Sequence, residues 1–184
     1  MPPSHFHITL HQPEIPNNTG NIGRTCVATG SALHLIEPLG FDTSTKACRR
    51  AGLDYWSRLA PTQYPDFDTY LAQVQPRRLW LFTTKAATPV WNADLQLGDH
   101  FIFGKETKGL PDDLLARYPA QRLVLPMLAD ERSLNLATAV CAVVYEALRQ
   151  CVQRGQLSLD DRARLSPSPV GPAAPGAPAA TLSP

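Results

Sequence analysis

Three short polar segments of this chain carry residue types that could bind and orient a ligand. The first holds Asn17, Asn18, Asn21 and Arg24, between a strand-like run and a helix-like pattern. If a helix begins at Asn21, then Asn21 and Arg24 lie three positions apart on one of its faces. The free backbone N–H groups at the start of that helix would suit an anion such as a phosphate. This segment therefore predicts a candidate anion site at the start of that helix.

The second and third segments offer close backbone approach and small hydrogen-bonding side chains. Gly104 and Gly109 flank Glu106, and glycine lets the backbone come close to a ligand. Glu106 has two open roles, one in chemistry and one in holding its loop by accepting backbone N–H groups. Ser133 and Asn135 stand just before an apolar helical pattern, and Ser133 is predicted to cap that helix.

Familiar catalytic and metal-binding motifs are missing from the sequence. The chain has no G-x-G-x-x-G after its first strand, no G-x-S-x-G, and no Gly-Lys-Ser/Thr to complete GKETKG. An enzyme of this sequence would therefore work by positioning its reactants. His5 and His7 could share a strand face, but satisfied or exposed histidines are the favoured interpretation because no carboxylate or thiol lies nearby. No metal is expected.

The elements that must position these segments alternate between strands and helices. This alternation predicts an α/β fold with a mainly parallel sheet flanked by helices. Ligands collect at the carboxyl ends of such strands, so the three segments predict one shared site. The predicted strands span residues 6–10, 33–36, 79–83, 100–103 and 123–125, and the predicted helices span residues 21–29, 66–74, 112–118 and 136–152, with a short basic helix after Ser44 or Thr45.

Length and composition limit the kind of protein this can be. The chain has 184 residues, 43% of them hydrophobic, which predicts a single domain over residues 1–155. A net charge of +1 argues against nonspecific nucleic-acid binding through a charged tail, while allowing a local basic patch. The Pro/Ala-rich residues 156–184 are predicted to be disordered. With no signal peptide and no membrane-spanning apolar run, we expect a cytoplasmic protein with reduced cysteines.

The last predicted helix is apolar on more sides than a surface helix needs. Between Leu136 and Val152 the apolar residues spread beyond the roughly 100° stripe of an amphipathic helix. Terminal helices seldom run through the middle of a domain, so contact with a second subunit is favoured over a central core helix in a monomer. A homodimer is therefore predicted.

Taken with their neighbours, the three segments resemble the three motifs of the SPOUT superfamily of RNA methyltransferases. The matching stretches are N-T-G-N-x-x-R at 18–24, F-G-x-E-x-x-G-L-P at 103–111 and P-M…S-L-N-L…A-V at 126–140. Intervening stretches such as LHLIEPLGF and RRAGLDYW resemble the branch that methylates the ribose 2′-oxygen of the wobble cytidine or uridine of tRNA. The resemblance covers residues 5–153.

The resemblance implies a C-terminal trefoil knot, S-adenosylmethionine as cofactor, an obligate homodimer, and the tRNA anticodon stem-loop as partner. It implies catalytic roles for Arg24, Ser133 and Asn135. The implied cofactor-binding residues are Phe82, Thr83, Gly104, Leu125, Ser133 and Leu134. The implied RNA-binding residues are Arg24, Lys46, Arg49, Arg50 and Tyr145, with Lys105, Lys108 and Arg132 expected near the pocket.

The role of Arg24 and the identity of the substrate leave alternatives open. A guanidinium keeps its proton near neutral pH, so Arg24 is predicted to stabilise a developing alkoxide rather than to act as a base. In a dimer it could serve the partner's pocket, and a surface salt bridge to Glu14 or Glu106 is the simpler alternative. Methylation of another tRNA or rRNA ribose and a noncatalytic RNA-binding module remain the alternative functions.

Overall fold

The structure is a computed structural model that describes residues 4–43 and 54–167. Its central sheet, within those residues, has six strands that all pair in parallel. The strands are β1 (His7–His11), β2 (Ala32–Ile36), β3 (Thr62–Tyr64), β4 (Leu79–Phe82), β5 (His100–Phe103) and β6 (Arg122–Leu123). Their order across the sheet is β3-β2-β1-β5-β4-β6.

Helices cover both faces of this sheet. They are α1 (Pro16–Thr29), α2 (Trp56–Leu59), α3 (Phe67–Val74), α4 (Asp112–Arg117) and α5 (Leu136–Gln153). Ile22 of α1 and Val140 of α5 share one buried cluster with Ile8 of β1. Tyr70 of α3 and Leu114 of α4 belong to a second cluster on the opposite face. The predicted α/β fold with a mainly parallel sheet is therefore confirmed.

The face that α3 covers also contains polar side chains. Thr9, His34 and His100 are all buried there. Burial lowers the pKa of His34 to about 4 and that of His100 to about 3, and the neighbouring His7 adds to both shifts. These two imidazoles are therefore neutral near pH 7.

Helix α1 begins at Pro16, well before the predicted start at Asn21. Proline suits the first turn of a helix because its φ is already helical and its missing N–H needs no partner there. The glycines inside α1 weakened the helical signal in the sequence. At one of them, Gly23, an added Cβ would lie 2.8 Å from Leu59, so glycine here allows α2 to pack closely against α1.

Helix α5 begins as predicted, but its N-cap is Asn135 rather than Ser133. The Asn135 Oδ1 atom accepts hydrogen bonds from the backbone N–H of Ala137 at 2.9 Å and of Thr138 at 3.3 Å. The capping role predicted for Ser133 is therefore wrong. Since a helix that begins at Leu136 has residue 135 at its N-cap position, Ser133 lies two residues too early to cap it.

The ordered chain continues past residue 155, where the sequence predicted disorder. An antiparallel hairpin joins β7 (Leu157–Leu159) to β8 (Leu165–Pro167), and Leu157 is only 3% exposed. The Asp160 carboxylate organises the turn by accepting backbone N–H groups of Arg162 and Arg164, each at 2.9 Å. Residues 168–184, which hold most of the predicted tail, lie outside the described residues, as does the predicted basic helix with Lys46, Arg49 and Arg50.

The chain after β6 runs between β4 and the segment that follows β4. Thr83 N–H donates to the Leu123 carbonyl at 3.0 Å, and Val124 N–H donates to the Thr88 carbonyl at 2.9 Å. Val90 N–H in turn donates to the Val124 carbonyl at 2.9 Å. Val124 is thus held inside the curve of residues 83–90. Among the described helices, none has the length and apolar character needed to cross a membrane.

Candidate active site

The three polar segments meet at a cavity of about 590 Å³ beyond the carboxyl ends of β4, β5 and β6. Its lining includes all the residues predicted to bind the cofactor, namely Phe82, Thr83, Gly104, Leu125, Ser133 and Leu134. Asn18 and Asn135 also line it. A second cavity of about 630 Å³ lies at the other end of β4, around Arg78 and Trp80, away from the three segments. The predicted convergence of the segments is therefore observed at the first cavity.

Gly104 marks a very close approach between two parts of the second segment. A Cβ atom added there would lie 2.0 Å from the Gly109 carbonyl carbon and 2.2 Å from Leu110 N. Gly109 itself has a φ of 68°, in the left-handed region that favours glycine, and its N–H donates to the Lys105 carbonyl at 2.8 Å. This wall of the cavity is consequently built from backbone, which leaves room for a ligand.

The Glu106 carboxylate reaches the start of α1 and accepts three N–H groups there. Its donors are Glu14 N–H at 2.9 Å, Ile15 N–H at 3.3 Å and the Asn18 Nδ2 group at 2.9 Å. The partial positive charge of the helix N-terminus thus faces a carboxylate of the protein itself. The anion site predicted at Asn21 is wrong, because α1 starts earlier and Glu106 already occupies its N-terminus.

Two side-chain amides extend the contact of Glu106 to the third segment. Because the Asn18 Nδ2 group donates to Glu106, its Oδ1 atom is left to accept from Asn135 Nδ2 at 3.0 Å. Asn135 Oδ1 caps α5, so Glu106, Asn18 and Asn135 form one hydrogen-bonded chain through all three segments. Asn18 is only 6% exposed. The sequence marks Asn18 as a candidate residue but does not indicate its linking role, which depends on partners that are distant in sequence.

Arg24 lies on α1 and does not line the cavity. Its guanidinium sits 4.7 Å from the centre of the Tyr55 ring, a cation–π contact. Tyr55 is held in place by donating its O–H to the Gly20 carbonyl at 2.5 Å. Within the described residues Arg24 forms no ion pair, so the salt bridge to Glu14 or Glu106 considered from the sequence is not present.

Basic side chains and an exposed tyrosine surround the site. Lys105, Lys108 and Arg132 line the cavity, as predicted. Tyr145 projects from α5 with 57% of its surface exposed. Ser133 is exposed at the cavity. These positions are compatible with contacts to an RNA backbone, which remain a prediction.

A model of the SpoU rRNA Methylase family matches residues 5–145. The chain belongs to this family. The tRNA (cytidine(34)-2′-O)-methyltransferases of Escherichia coli K12 and Burkholderia cenocepacia HI2424 are 48% and 47% identical to it, over 157 and 148 residues. These alignments cover 84% and 79% of this chain, and 99% and 95% of the relatives.

Solved SPOUT structures share the fold of this SpoU family member. A structure that addresses the 2-OH methylation of C/U34 on tRNA is 43% identical, has a TM-score of 0.74, and covers 81% of this chain and 97% of that chain. A SpoU methyltransferase from Streptomyces viridochromogenes in complex with AdoMet is 24% identical, has a TM-score of 0.70, and covers 82% and 62% of the two chains. The SPOUT resemblance of the three sequence motifs is thereby confirmed.

Proposed function

We propose that this protein is an S-adenosylmethionine-dependent methyltransferase that methylates the ribose 2′-oxygen of the wobble nucleotide, position 34, of tRNA. The observation that carries the proposal is the cavity at the carboxyl ends of the strands, in which the three motif segments meet. The activity named for relatives that are 48% identical over most of the chain supports the same substrate. A tRNA substrate also agrees with a cytoplasmic location.

The cavity residues fit the proposed cofactor. Backbone rather than side chain forms the wall at Gly104, where no Cβ could be accommodated. Phe82, Leu125 and Leu134 provide apolar surface for an adenine, and the backbone near Gly104 and Leu125 can hydrogen-bond to polar edges of the ligand. When bound, S-adenosylmethionine supplies a methyl group activated by its positive sulfonium.

The contribution of the protein to transfer is alignment of the ribose hydroxyl. In-line displacement needs the attacking oxygen held close to the methyl carbon, which is a matter of positioning. Two hydrogen bonds fix the Asn135 side-chain amide, since its Oδ1 atom caps α5 and one of its Nδ2 hydrogens is donated to Asn18. The second Nδ2 hydrogen is available to orient the hydroxyl together with Ser133.

We further infer that Arg24 acts in the cavity of a second copy of the chain. Arg24 lies outside its own cavity, on the α1–α5 side of the sheet. On that side, α5 exposes Ala142 and Tyr145 beside the half-buried Cys141, a mixed apolar surface suited to a homodimer interface. From a partner, the permanently charged Arg24 can stabilise the alkoxide that develops on the 2′-oxygen and contact a neighbouring phosphate.

The path of the chain around Val124 supports a trefoil knot. Residues 122–124 pair with β4 on one side and with residues 88–90 on the other, so the segment leading to α5 passes within the loop after β4. A knot of this kind would fix the backbone near Leu125 without large side-chain contacts, which suits a pocket built from backbone.

Nucleoside mapping tests the proposed substrate. The full chain is incubated with S-adenosylmethionine and unmodified total RNA, and the methylated nucleotide is located by nuclease digestion and mass spectrometry. We expect a 2′-O-methyl group at position 34 of tRNA. Methylation confined to another ribose would favour a neighbouring RNA specificity, and failure to consume the cofactor with any RNA would favour a noncatalytic RNA-binding protein.

A subunit-mixing experiment tests the role of Arg24. Arg24→Ala alone is expected to abolish transfer while leaving cofactor binding nearly unchanged. A heterodimer of Arg24→Ala and Asn135→Ala chains, purified through two different tags, would keep one complete site out of two if Arg24 acts across the interface, hence about half of the wild-type activity. If both residues act within one chain, the heterodimer is inactive. A doubly tagged wild-type dimer is the matched control.

A further inference from the structure

Three histidines from three neighbouring strands meet on the sheet face that α3 covers. His7 of β1 lies directly opposite His100 of β5 in the register. His34 lies two residues beyond Ala32, the residue of β2 that pairs with His7. Because alternate residues of a strand point to the same face, all three side chains share one side of the sheet.

The three imidazoles are close enough to share one ion. His7 Nδ1 lies 3.0 Å from His34 Nε2, and the rings of His7 and His100 stack at 4.1 Å between centres. One ring nitrogen from each of the three residues lies within 4.8 Å of the other two. The sequence pattern suggests His5 as the partner of His7 on one strand face. In the structure, however, the His5 ring is not part of the cluster, and its Nδ1 atom lies 2.8 Å from the Thr29 carbonyl oxygen.

Two tyrosines hold the outer nitrogens of this histidine cluster. The Tyr64 hydroxyl lies 3.0 Å from His34 Nδ1, and the Tyr70 hydroxyl lies 2.5 Å from His100 Nδ1. Thr9 further orients Tyr70 by donating its O–H to the phenol oxygen at 3.0 Å. In the metal-free cluster Thr9 donates to Tyr70, so the phenol donates to His100 Nδ1. His34 Nε2 pairs with His7 Nδ1. Metal binding would turn the Tyr70 and Thr9 hydroxyls so that the Nδ1–H groups of His34 and His100 donate to the phenols, which leaves the Nε2 lone pair of each histidine for the cation. Metal-binding histidines are commonly oriented through their second nitrogen in this manner.

We propose that His7, His34 and His100 form a binding site for a divalent transition-metal ion, with Zn²⁺ the preferred occupant and a water as the fourth ligand. Two nitrogens bound tetrahedrally at Zn–N distances of 2.0–2.1 Å are about 3.3 Å apart, close to the separation of the hydrogen-bonded pair. The ion would take the place of the proton that His7 and His34 share. Binding would require the His7 ring to turn out of its stack with His100 so that both lone pairs point at the ion, and the partial exposure of His7 leaves a path for the ion and the water.

The position of the cluster indicates a structural rather than a catalytic role. His7 and His100 are the first residues of their strands, whereas the active-site cavity lies beyond the carboxyl ends of the strands. An ion bound to the cluster would join β1, β2 and β5 at the amino end of the sheet. It would stabilise the scaffold without entering the methyl-transfer site.

Titration with Co²⁺ tests the site, because Co²⁺ replaces Zn²⁺ in nitrogen sites and absorbs visible light. The full chain is first dialysed against a chelator, and the absorbance, the bound metal per chain and the unfolding temperature are then recorded as Co²⁺ is added. We expect one Co²⁺ per chain, displacement by Zn²⁺, and a rise in unfolding temperature with either ion.

Variants separate this site from adventitious binding. His7→Asn removes a ligand from a half-buried position and should abolish the absorbance, while Tyr70→Phe should weaken Co²⁺ binding by about 10–100-fold. The matched control is His5→Asn, which leaves the cluster intact and should bind Co²⁺ like the wild type. The unfolding temperature without metal shows that each variant is folded. No Co²⁺ binding by the wild type, or equal binding by wild type, His7→Asn and Tyr70→Phe, would establish a hydrogen-bonded cluster and overturn the proposal.

Discussion

Replacing Glu106 with glutamine probes the hydrogen-bonded chain that joins the three segments of the site. The carboxylate accepts Glu14 N–H on one oxygen, and Ile15 N–H and Asn18 Nδ2 on the other. Glutamine has the same shape, but one of its two terminal groups is an NH₂ donor. Whichever way the new amide turns, at least one of the three donors on Glu14, Ile15 and Asn18 then faces another N–H.

The expected cost of Glu106→Gln follows from this count. One hydrogen bond to a charged acceptor is lost and one donor is left without a partner, which together lower the free energy of unfolding by about 2 kcal/mol at this half-buried position. In one orientation the new NH₂ group faces Asn18 Nδ2, and the amide of Asn18 then loses its fixed position and its contact to Asn135; in the other, Asn18 keeps its acceptor and Glu14 N–H loses its own. A reacting group misplaced by about 1 Å can cost about 100-fold in rate, so kcat should fall, by at most roughly that factor.

Urea unfolding and tRNA methylation, measured at a temperature where both proteins are folded, check the two expectations for Glu106→Gln. Glu37→Gln is the matched control, since Glu37 is exposed and its carboxylate makes no hydrogen bond or ion pair within the described residues. A second variant, Asn18→Ala, should lower kcat similarly, and the double variant should cost less than the sum because both act through Asn135. Wild-type stability and kcat in Glu106→Gln would refute the linking role of this carboxylate.

Three further substitutions or treatments test other parts of the structure. Gly104→Ala should lower the free energy of unfolding by about 3 kcal/mol or more in urea titrations, because the new methyl group would overlap the backbone of Gly109 and Leu110. Unchanged stability would mean that Gly104 does not approach that backbone as closely as observed. Burial raises the pKa of Cys26 to about 12 and that of Cys151 to about 11. Both thiols should therefore resist alkylation in the native protein at pH 8 and react only after unfolding, and mass spectrometry of the alkylated chain measures this. Leu157→Ala should cost about 2–4 kcal/mol if the hairpin belongs to the fold, whereas Leu159→Ala, at a 50% exposed position of the same strand, should be nearly neutral.

The sheet and the location of the site could be predicted because they depend on local patterns. β5 occupies the predicted residues, since HFIF is a short apolar run that a glycine follows directly. Strands and helices that alternate along the chain can pack only as a covered parallel sheet, whose strands all end at one edge. The loops after β4, β5 and β6 had therefore to meet, whatever their detailed contacts.

Contacts between distant residues could not be predicted from such patterns. Glu106 reads as a loop residue until the N-terminus of α1, far away in sequence, is placed against it. The second contact of the Asn135 amide, to Asn18, likewise exists only once the fold brings residues 117 positions apart together. His7, His34 and His100 form a cluster only after the strand order brings β2 and β5 to either side of β1.

The residue at which α1 begins determines how far Arg24 lies from the cavity end of the helix. A helix starting at Asn21 would have placed Arg24 in its first turn, near the cavity mouth, with a natural role in its own site. With the start at Pro16, Asn18 occupies the first turn, and Arg24 lies six residues later, about 9 Å farther along the helix axis at 1.5 Å per residue. At the end of α1 that faces the cavity, Asn18 is hydrogen-bonded to Glu106, whereas the Arg24 guanidinium contacts the Tyr55 ring. We therefore propose that Arg24 acts on the site of another chain, and the active heterodimer, rather than the inactive single variant, is the observation that decides it.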